Sequence, residues 1–582
     1  MKKILIYIIL LIFTTSIYSN EMEVIELHEN KSLDQIVLDQ VNEELEENEN
    51  IQNEDVNNIS DEIEEDNLDD TVEQSFIEDD IFFVNDNLLN IEKYLDNAEN
   101  LESIVLQNEL LTFLEQLNLD LNIKKNEEIY YLIIKHFYKT GNISKAHKLI
   151  KTYNLDQGDN KEFYKTIEVN YLLSTFQLEN VCSLKEDLAV NLNLKNFFLE
   201  KIDIFCLVLE GNISEADLLN SIILETETNI DENFQNLYSI LSNQIDNTET
   251  IIDFNQNIND ELIFLYSAMA RIAEIPLNHN FLKLDSKNLA IPIILNESTP
   301  IELRIAAANE SYKINNLTID SLAALYQSVD FNSEELKNPK DTLKNLSSPE
   351  ITMAYYFQLI NIQIFPSERL KAVISFWEFA RENNLEYIAY SLTNKLIETI
   401  ELSEDNIEYG TKIATAYIYN NNFESALNWL NSYENIVGID SKSSYTRILL
   451  SLYSTKEIDS FGEIISNNFD QFSSINNFQN EELLFILLNL LQKNTGQNLT
   501  IDFTRIYDDR LMPSAFIIEN LEEAIRNEDY NKFLIYSIIS LNNKKWNEIH
   551  PQHLKLILEG VSKKQKVFIE VILEIFQNYK IL

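Results

Sequence analysis

The stretch that decides the fold of this chain occurs twice, as GNISKAHKLI at residues 141–150 and as GNISEADLLN at residues 211–220. A weaker copy, NNFESALNWL, occupies residues 421–430. Each copy follows an apolar helical segment, so its first residue can end one helix in the left-handed region while an asparagine caps the next. The copies start 70 and then 210 residues apart, both multiples of 35 and close to the 34-residue period of tetratricopeptide arrays. Chance similarity among helical segments is the alternative explanation.

Three kinds of position recur in these copies: the turn residue, the asparagine after it, and an alanine. The alanine shares a helical stripe with apolar residues three positions before and after it, and its small side chain lets a partner helix come close. Each copy therefore predicts a tight antiparallel helical hairpin. The predicted repeat-turn positions are Gly141, Asn142, Ala146, Gly211, Asn212, Ala216, Asn421, Asn422 and Ala426.

Further hairpins are predicted where asparagine or aspartate interrupts a helical pattern, at Asn315-Asn316, at Asn383-Asn384 and near Asp529. Asparagine replaces glycine there because its side chain tolerates the left-handed region. A single hairpin cannot bury its apolar face, so successive hairpins are expected to stack, each on its neighbours.

Composition also favours an all-helical fold. The chain of 582 residues has only 8 glycines and 8 prolines, too few for the many turns of a β-rich protein. Its apolar fraction of 45% is ample for a packed core. We therefore predict an all-α protein, an α-solenoid of stacked antiparallel helical hairpins that resembles a tetratricopeptide array.

Three segments are predicted along the chain. Residues 1–20 have the two lysines, the apolar run and the polar end of a signal peptide, although an uncleaved anchor is an alternative. Residues 21–80 lack a sustained apolar face and are expected to be acidic and disordered. Residues 81–582 form the helical-repeat domain, either continuous or broken near residues 245–260.

The charge distribution restricts the possible partners. The formal net charge is −52, and residues 21–80 alone hold 24 acidic side chains against the single base Lys31. Such a field repels phosphate backbones and anionic lipid heads, so nucleic acid is not an expected partner. Membrane contact is expected only if the signal peptide stays uncleaved. We expect a protein or peptide partner in the cell envelope and a periplasmic or secreted location.

Cys182 and Cys206 are the only cysteines. In an oxidising compartment an isolated pair is a disulfide candidate that would link two neighbouring helices. Two buried free thiols are the alternative. The chain has no Cys-x-x-Cys motif, so a thioredoxin-like redox role has no support.

Part of the chain resembles an uncharacterised family of exported bacterial helical-repeat proteins with a two-cysteine signature. That family pairs two cysteines just before a helical hairpin that begins with Gly-Asp or Gly-Asn, and its members often carry a Pro/Ala-rich N-terminal segment where this chain is acidic. The resemblance implies a helical-repeat fold and an exported location, and no activity. It lies in residues 182–184, 201–212, 216–219, 301–326 and 414–430.

Motifs that carry enzyme chemistry are missing from the sequence. The closest two glycines are 17 residues apart, which excludes phosphate loops, the dinucleotide fingerprint and the nucleophile elbow. Neither Glu310-Ser311 nor Glu424-Ser425 is followed by the glycine turn that lytic transglycosylases need. We therefore predict a non-catalytic scaffold or adaptor without cofactors; a cell-wall-associated enzyme, or its accessory subunit, is the alternative.

Two local features have competing explanations. His550 and His553 could place two imidazoles on one helical turn for a metal, or could mark a polar helix start. Residues 541–582 carry a net charge of +3, with seven lysines and four glutamates. A terminal helix that caps the array with a lysine-bearing outer face explains this charge, and contact with the acidic segment or a membrane is the alternative.

Overall fold

The computed structural model describes residues 86–579, apart from residues 122, 156–157, 185–196, 244–261, 286, 347 and nearly all of 454–509. Every regular element in these ranges is a helix, as the sequence predicts. The predicted signal peptide, the acidic segment and the break near residues 245–260 lie outside the described residues. The helices are α1 Leu88–Ala98, α2 Ile104–Gln116, α3 Lys124–Lys139, α4 Ile143–Thr152, α5 Lys161–Ser174, α6 Leu178–Ser183, α7 Phe198–Leu209, α8 Ile213–Thr226, α9 Glu232–Leu241, α10 Ile263–Ile272, α11 His279–Leu284, α12 Ala290–Leu295, α13 Ile301–Lys313, α14 Ile319–Gln327, α15 Ser333–Lys337, α16 Pro339–Asn345, α17 Pro349–Ile362, α18 Pro366–Glu382, α19 Glu386–Ile397, α20 Gly410–Tyr419, α21 Phe423–Ile436, α22 Ser441–Tyr453, α23 Ala515–Asn527, α24 Tyr530–Leu541, α25 Pro551–Val561 and α26 Gln565–Tyr579.

The turns between paired helices share one backbone geometry. At the α3–α4 turn, Gly141 has a φ of 87°, and the N–H of Asn142 donates to the carbonyl of Phe137 over 2.8 Å. This bond is the six-to-one bond of a Schellman motif, which satisfies a carbonyl at the helix end. Gly211 and Asn421 have φ of 78° and 58°. The same bond follows each, from Asn212 to Leu207 at 2.8 Å and from Asn422 to Tyr417 at 2.9 Å.

The predicted capping role of the asparagine holds in only one copy. The Asn422 side chain accepts a hydrogen bond from the N–H of Ser425, whereas Asn142 and Asn212 make no side-chain cap. The Asn142 amide donates backwards instead, to the carbonyl of Thr140 at 3.3 Å. The prediction was wrong for these two residues because their side chains point back toward the preceding helix and not into the next one.

One turn of the same kind has no recognisable sequence signal. Phe176 has a φ of 59° between α5 and α6, 35 residues after Gly141 and 35 before Gly211. A left-handed phenylalanine is strained, so its conformation is imposed by the packing of the two helices. The left-handed positions at the other predicted hairpins are Asn315, Asn384 and Glu528, with φ of 59°, 57° and 58°.

Several helices are buried on nearly all sides. All residues from Ile263 to Ala270 in α10 are buried, and the buried residues of α26 run from Val567 to Tyr579. A helix that is apolar all round must lie inside the molecule. Helix α26 nevertheless keeps an exposed lysine at its start, because the Lys566 side chain is 79% exposed, and its role as a lysine-bearing cap of the array stays a prediction.

The two ends of the described chain are in contact. Helix α24 packs against α1 and α2, and α26 packs against α2 and α22. Glu574 of α26 accepts hydrogen bonds from the hydroxyl of Ser103 at 2.6 Å and the N–H of Val105 at 2.9 Å, so it caps the N-terminus of α2. Burial raises the pKa of Glu574, although these hydrogen bonds oppose the rise. Stacking on sequence neighbours alone does not describe this fold.

The first hairpin also contacts the middle of the chain. The Asn288 amide donates to the carbonyl of Tyr138, and the Asn316 amide donates to the carbonyl of Gly141, both at 2.7 Å. These contacts join residues 150 and 175 positions apart. The α3–α4 turn is therefore a buried junction and not an exposed corner.

Candidate binding groove

A groove of about 780 Å³ opens between α14, α17 and α19. Its walls are aliphatic, aromatic and amide side chains, with few charges. A cleft with a mostly apolar lining and a few placed polar groups is typical of binding sites. The lining includes Tyr312, Ile319, Asp320, Ala323, Gln327, Phe357, Asn361, Ile362, Gln363, Ile364, Arg369, Ser391, Leu392, Asn394, Lys395, Leu396, Thr399 and Asn420.

Three large apolar side chains are exposed at the end of α17 and just after it, and two of them, Ile362 and Ile364, line this groove. Ile362, Ile364 and Phe365 are 47%, 64% and 70% exposed, although they follow one another within four residues. Scattered apolar residues on a surface need no explanation, whereas a contiguous patch beside a cleft marks an interaction site. We call Ile362, Ile364 and Phe365 the apolar rim.

Local sequence holds the apolar rim in place. Helix α17 ends at Ile362, and Pro366 starts α18 because its fixed φ suits a first helical position. Between the helices, Arg369 donates from Nε and from an Nη to the carbonyl of Gln363, at 3.0 and 2.6 Å. The short connection is thus pinned from inside, which leaves Ile364 and Phe365 pointing outward.

Polar groups on the groove wall are partly committed to the fold. The Asn361 amide donates to the carbonyl of Phe357, and the Asn420 amide donates to that of Tyr390. The Asn394 Oδ1 atom has no hydrogen-bond partner among the described residues. Lys395 is exposed and makes no ion pair with a described residue. The Asn394 oxygen is buried, so Lys395 is the polar group of this wall that is open to a ligand.

The predicted repeat-turn residues are structural and lie outside the groove. Ala146, Ala216 and Ala426 are fully buried at helix contacts. Asn420, immediately before the third turn, is the nearest approach of the repeat pattern to the groove. No sequence signal identifies the site, because Gln363 interrupts the apolar residues between α17 and α18 and the stretch has the composition of an ordinary connection.

Cys182 and Cys206 form a disulfide, with Sγ atoms 2.00 Å and Cα atoms 5.6 Å apart. It joins α6 to α7. On the next turn of α7, the fully buried ammonium of Lys201 bonds to Glu227 at 3.0 Å and to Asp231 at 2.8 Å. The disulfide and the ion triad together attach α6, α7, α8 and α9 to one another.

Four histidines of the described chain are buried or bonded within the fold. His550 caps α25 by accepting from the N–H of Gln552 at 3.2 Å, while the ring of His553 meets the hydroxyl of Ser540 at 2.8 Å. Burial lowers the pKa of His136, His147 and His553 to about 4. No group of three or more potential metal ligands occurs within the described ranges.

Two lysines of the C-terminal region form ion pairs with acids of other elements. Lys563 pairs with Glu528 at 2.9 Å, and Lys564 pairs with Glu109 at 3.1 Å while it lies over the ring of Tyr530. The net positive charge predicted for this end of the chain is therefore offset by acids from α2 and the α23–α24 turn. In the part of the chain that the structure describes, no helix is long and apolar enough to cross a bilayer.

Comparison of this chain with protein-family models, with curated proteins and with solved structures gives no match in any of the three.

Proposed function

We propose that this protein is a non-catalytic scaffold that binds a protein or peptide partner in the groove between α14, α17 and α19. The apolar rim carries this proposal, because exposure of Ile364 and Phe365 to water is unfavourable unless a partner covers them. The lining is suited to recognition: apolar side chains supply contact area, and the exposed amide of Gln327 can bond to a peptide backbone.

The finer architecture belongs to the same proposal. Helices paired by Schellman turns at 35-residue spacing support a solenoid of the tetratricopeptide kind, here with its two ends joined. The Cys182–Cys206 disulfide supports an exported protein, periplasmic or secreted, because cytosolic thiols are kept reduced. Membership of the exported two-cysteine family and cleavage of a signal peptide are part of this proposal.

Site-specific photo-cross-linking in intact producing cells tests the binding role. A photoreactive phenylalanine at Ile364 should give one discrete adduct with a partner. The matched control is Leu218 of α8, which is equally exposed at 62% against 64% but lies on another surface. The substitution Phe365→Asp should abolish the Ile364 adduct by placing a charge in the contact.

Two results would contradict this proposal. One is the same adduct from Leu218, which would indicate nonspecific contact. The other is an Ile364 adduct that survives Phe365→Asp, which would show that the apolar rim does not hold the partner. Release of soluble fragments when the pure protein is incubated with peptidoglycan would show an enzyme instead of a scaffold.

A further inference from the structure

A second, smaller pocket lies on the opposite side of α19, between α18, α20 and α22. Its volume is about 50 Å³, and its wall includes Trp377 and Tyr390 with their ring centroids 5.1 Å apart. Tyr390 faces this pocket, whereas Leu392 and Lys395 of the same helix face the groove. The pocket is therefore separate from the proposed partner site.

Each of the three helices places a cation at this pocket: Arg381 from α18, Lys412 from α20 and Lys442 from α22. Convergence of three like charges is unfavourable unless anions accompany them. It is also unusual in a chain with a net charge of −52. The acids nearby therefore decide whether the cluster is already balanced.

Two carboxylates compensate part of this charge. Glu378 lines the pocket and forms an ion pair with Lys412. Glu386 is buried and lines an adjoining cavity together with Arg381. With both acids counted, one positive charge is left over. It belongs to Lys442, which is exposed and forms no ion pair with any residue in the described ranges.

The surroundings of the surplus charge limit the ligand. One positive charge matches a singly charged oxyanion, and the planar guanidinium of Arg381 suits the two oxygens of a carboxylate. The rings of Trp377 and Tyr390 offer an apolar wall for the carbon skeleton that carries the acid group. The small volume excludes a nucleotide-sized ligand.

We propose that this pocket binds the carboxylate of an organic acid, with Lys442 and Arg381 facing the two oxygens and Trp377 against the apolar part. The carboxylate belongs either to a free acid or to an acidic side chain of a polypeptide. Because no residue of the pocket contributes to the groove, the scaffold proposal and this one can fail independently.

Calorimetric titration of the full-length protein with benzoate and with benzamide tests the site, because the two probes have nearly the same shape and only benzoate is charged. Benzoate should bind at least tenfold more tightly. Lys442→Met should remove this preference, and the matched substitution Lys283→Met, at an exposed lysine of α11 that lines neither the pocket nor the groove, should leave it unchanged. Quenching of tryptophan fluorescence by benzoate should likewise be lost in Lys442→Met and be kept in the control variant.

A second pair of probes identifies the source of the carboxylate. A blocked Ala-Glu-Ala peptide that binds at least tenfold more tightly than its Ala-Gln-Ala analogue would support a polypeptide ligand, and preference for benzoate alone would support a free acid. Three outcomes would overturn the site: no preference for the charged member of either pair, a preference that survives Lys442→Met, or an equal loss in Lys283→Met. Circular dichroism checks that both variants remain helical.

Discussion

Substitution of the turn glycines separates the local geometry of a hairpin from its place in the tertiary structure. Gly141 and Gly211 have the same left-handed backbone, so alanine at either position should cost about 1–2 kcal/mol from that conformation alone. The two sites differ in their surroundings. A Cβ at Gly211 would meet nothing within 4 Å, whereas at Gly141 it would lie 2.0 Å from the Lys287 Cβ.

The contact with Lys287 makes Gly141→Ala the more damaging change. Relief of the clash requires movement of the α3–α4 turn, which costs about 1–3 kcal/mol when a packed site is overfilled. It would also displace the amide of Asn316 from the carbonyl of Gly141. We therefore expect Gly141→Ala to lose about 2–5 kcal/mol and Gly211→Ala about 1–2 kcal/mol.

Urea unfolding followed by circular dichroism measures the difference in stability between the two variants. Their first unfolding transitions are compared, because a large helical protein need not unfold in one step. Amide hydrogen exchange shows which segments each substitution loosens. Gly141→Ala should increase exchange in residues 137–150 and also in residues 285–290 and 313–317, whereas Gly211→Ala should act only within residues 205–220. Equal destabilisation by the two variants would refute the packing of the α3–α4 turn against the middle of the chain. An effect of Gly141→Ala confined to its own hairpin would refute it as well.

Other predictions concern stability at single contacts. Lys201→Met leaves Glu227 and Asp231 without their buried cation and should cost about 3–5 kcal/mol in urea unfolding, whereas Lys344→Met at an exposed pair should change nothing measurable. Replacement of both Cys182 and Cys206 by alanine should cost about 3–4 kcal/mol, because the disulfide closes a loop with a sequence separation of 24; an unchanged midpoint in nonreducing buffer would contradict this. The native state binds a proton at Glu574 more tightly than the unfolded state, so the contribution of Glu574 to stability falls as pH rises above its ordinary pKa of 4.5. Glu574→Gln should therefore reduce the fall in unfolding free energy between about pH 4.5 and 7. A fall as steep as that of the wild type would show that the Glu574 carboxyl does not cause it.

The binding site was beyond sequence analysis. Residues 362–365 read as an apolar connection between helices, with nothing to say whether Ile364 and Phe365 turn inward or outward. Their exposure follows from the Arg369 bonds to the Gln363 carbonyl, which a sequence does not display. The convergence of Arg381, Lys412 and Lys442 is equally invisible, because it depends on which faces of three separate helices meet.

The sequence by itself determined the helical class and the hairpin turns at Gly141, Gly211 and Asn421, because scarce glycine and periodic apolar residues act over a few neighbouring positions. Only the tertiary structure decided that Phe176 makes an equivalent turn and that Glu574 of α26 caps the N-terminus of α2. Contacts between residues hundreds of positions apart leave no periodic trace in a single sequence. They depend on which faces of distant helices meet, and no local pattern of residues specifies that.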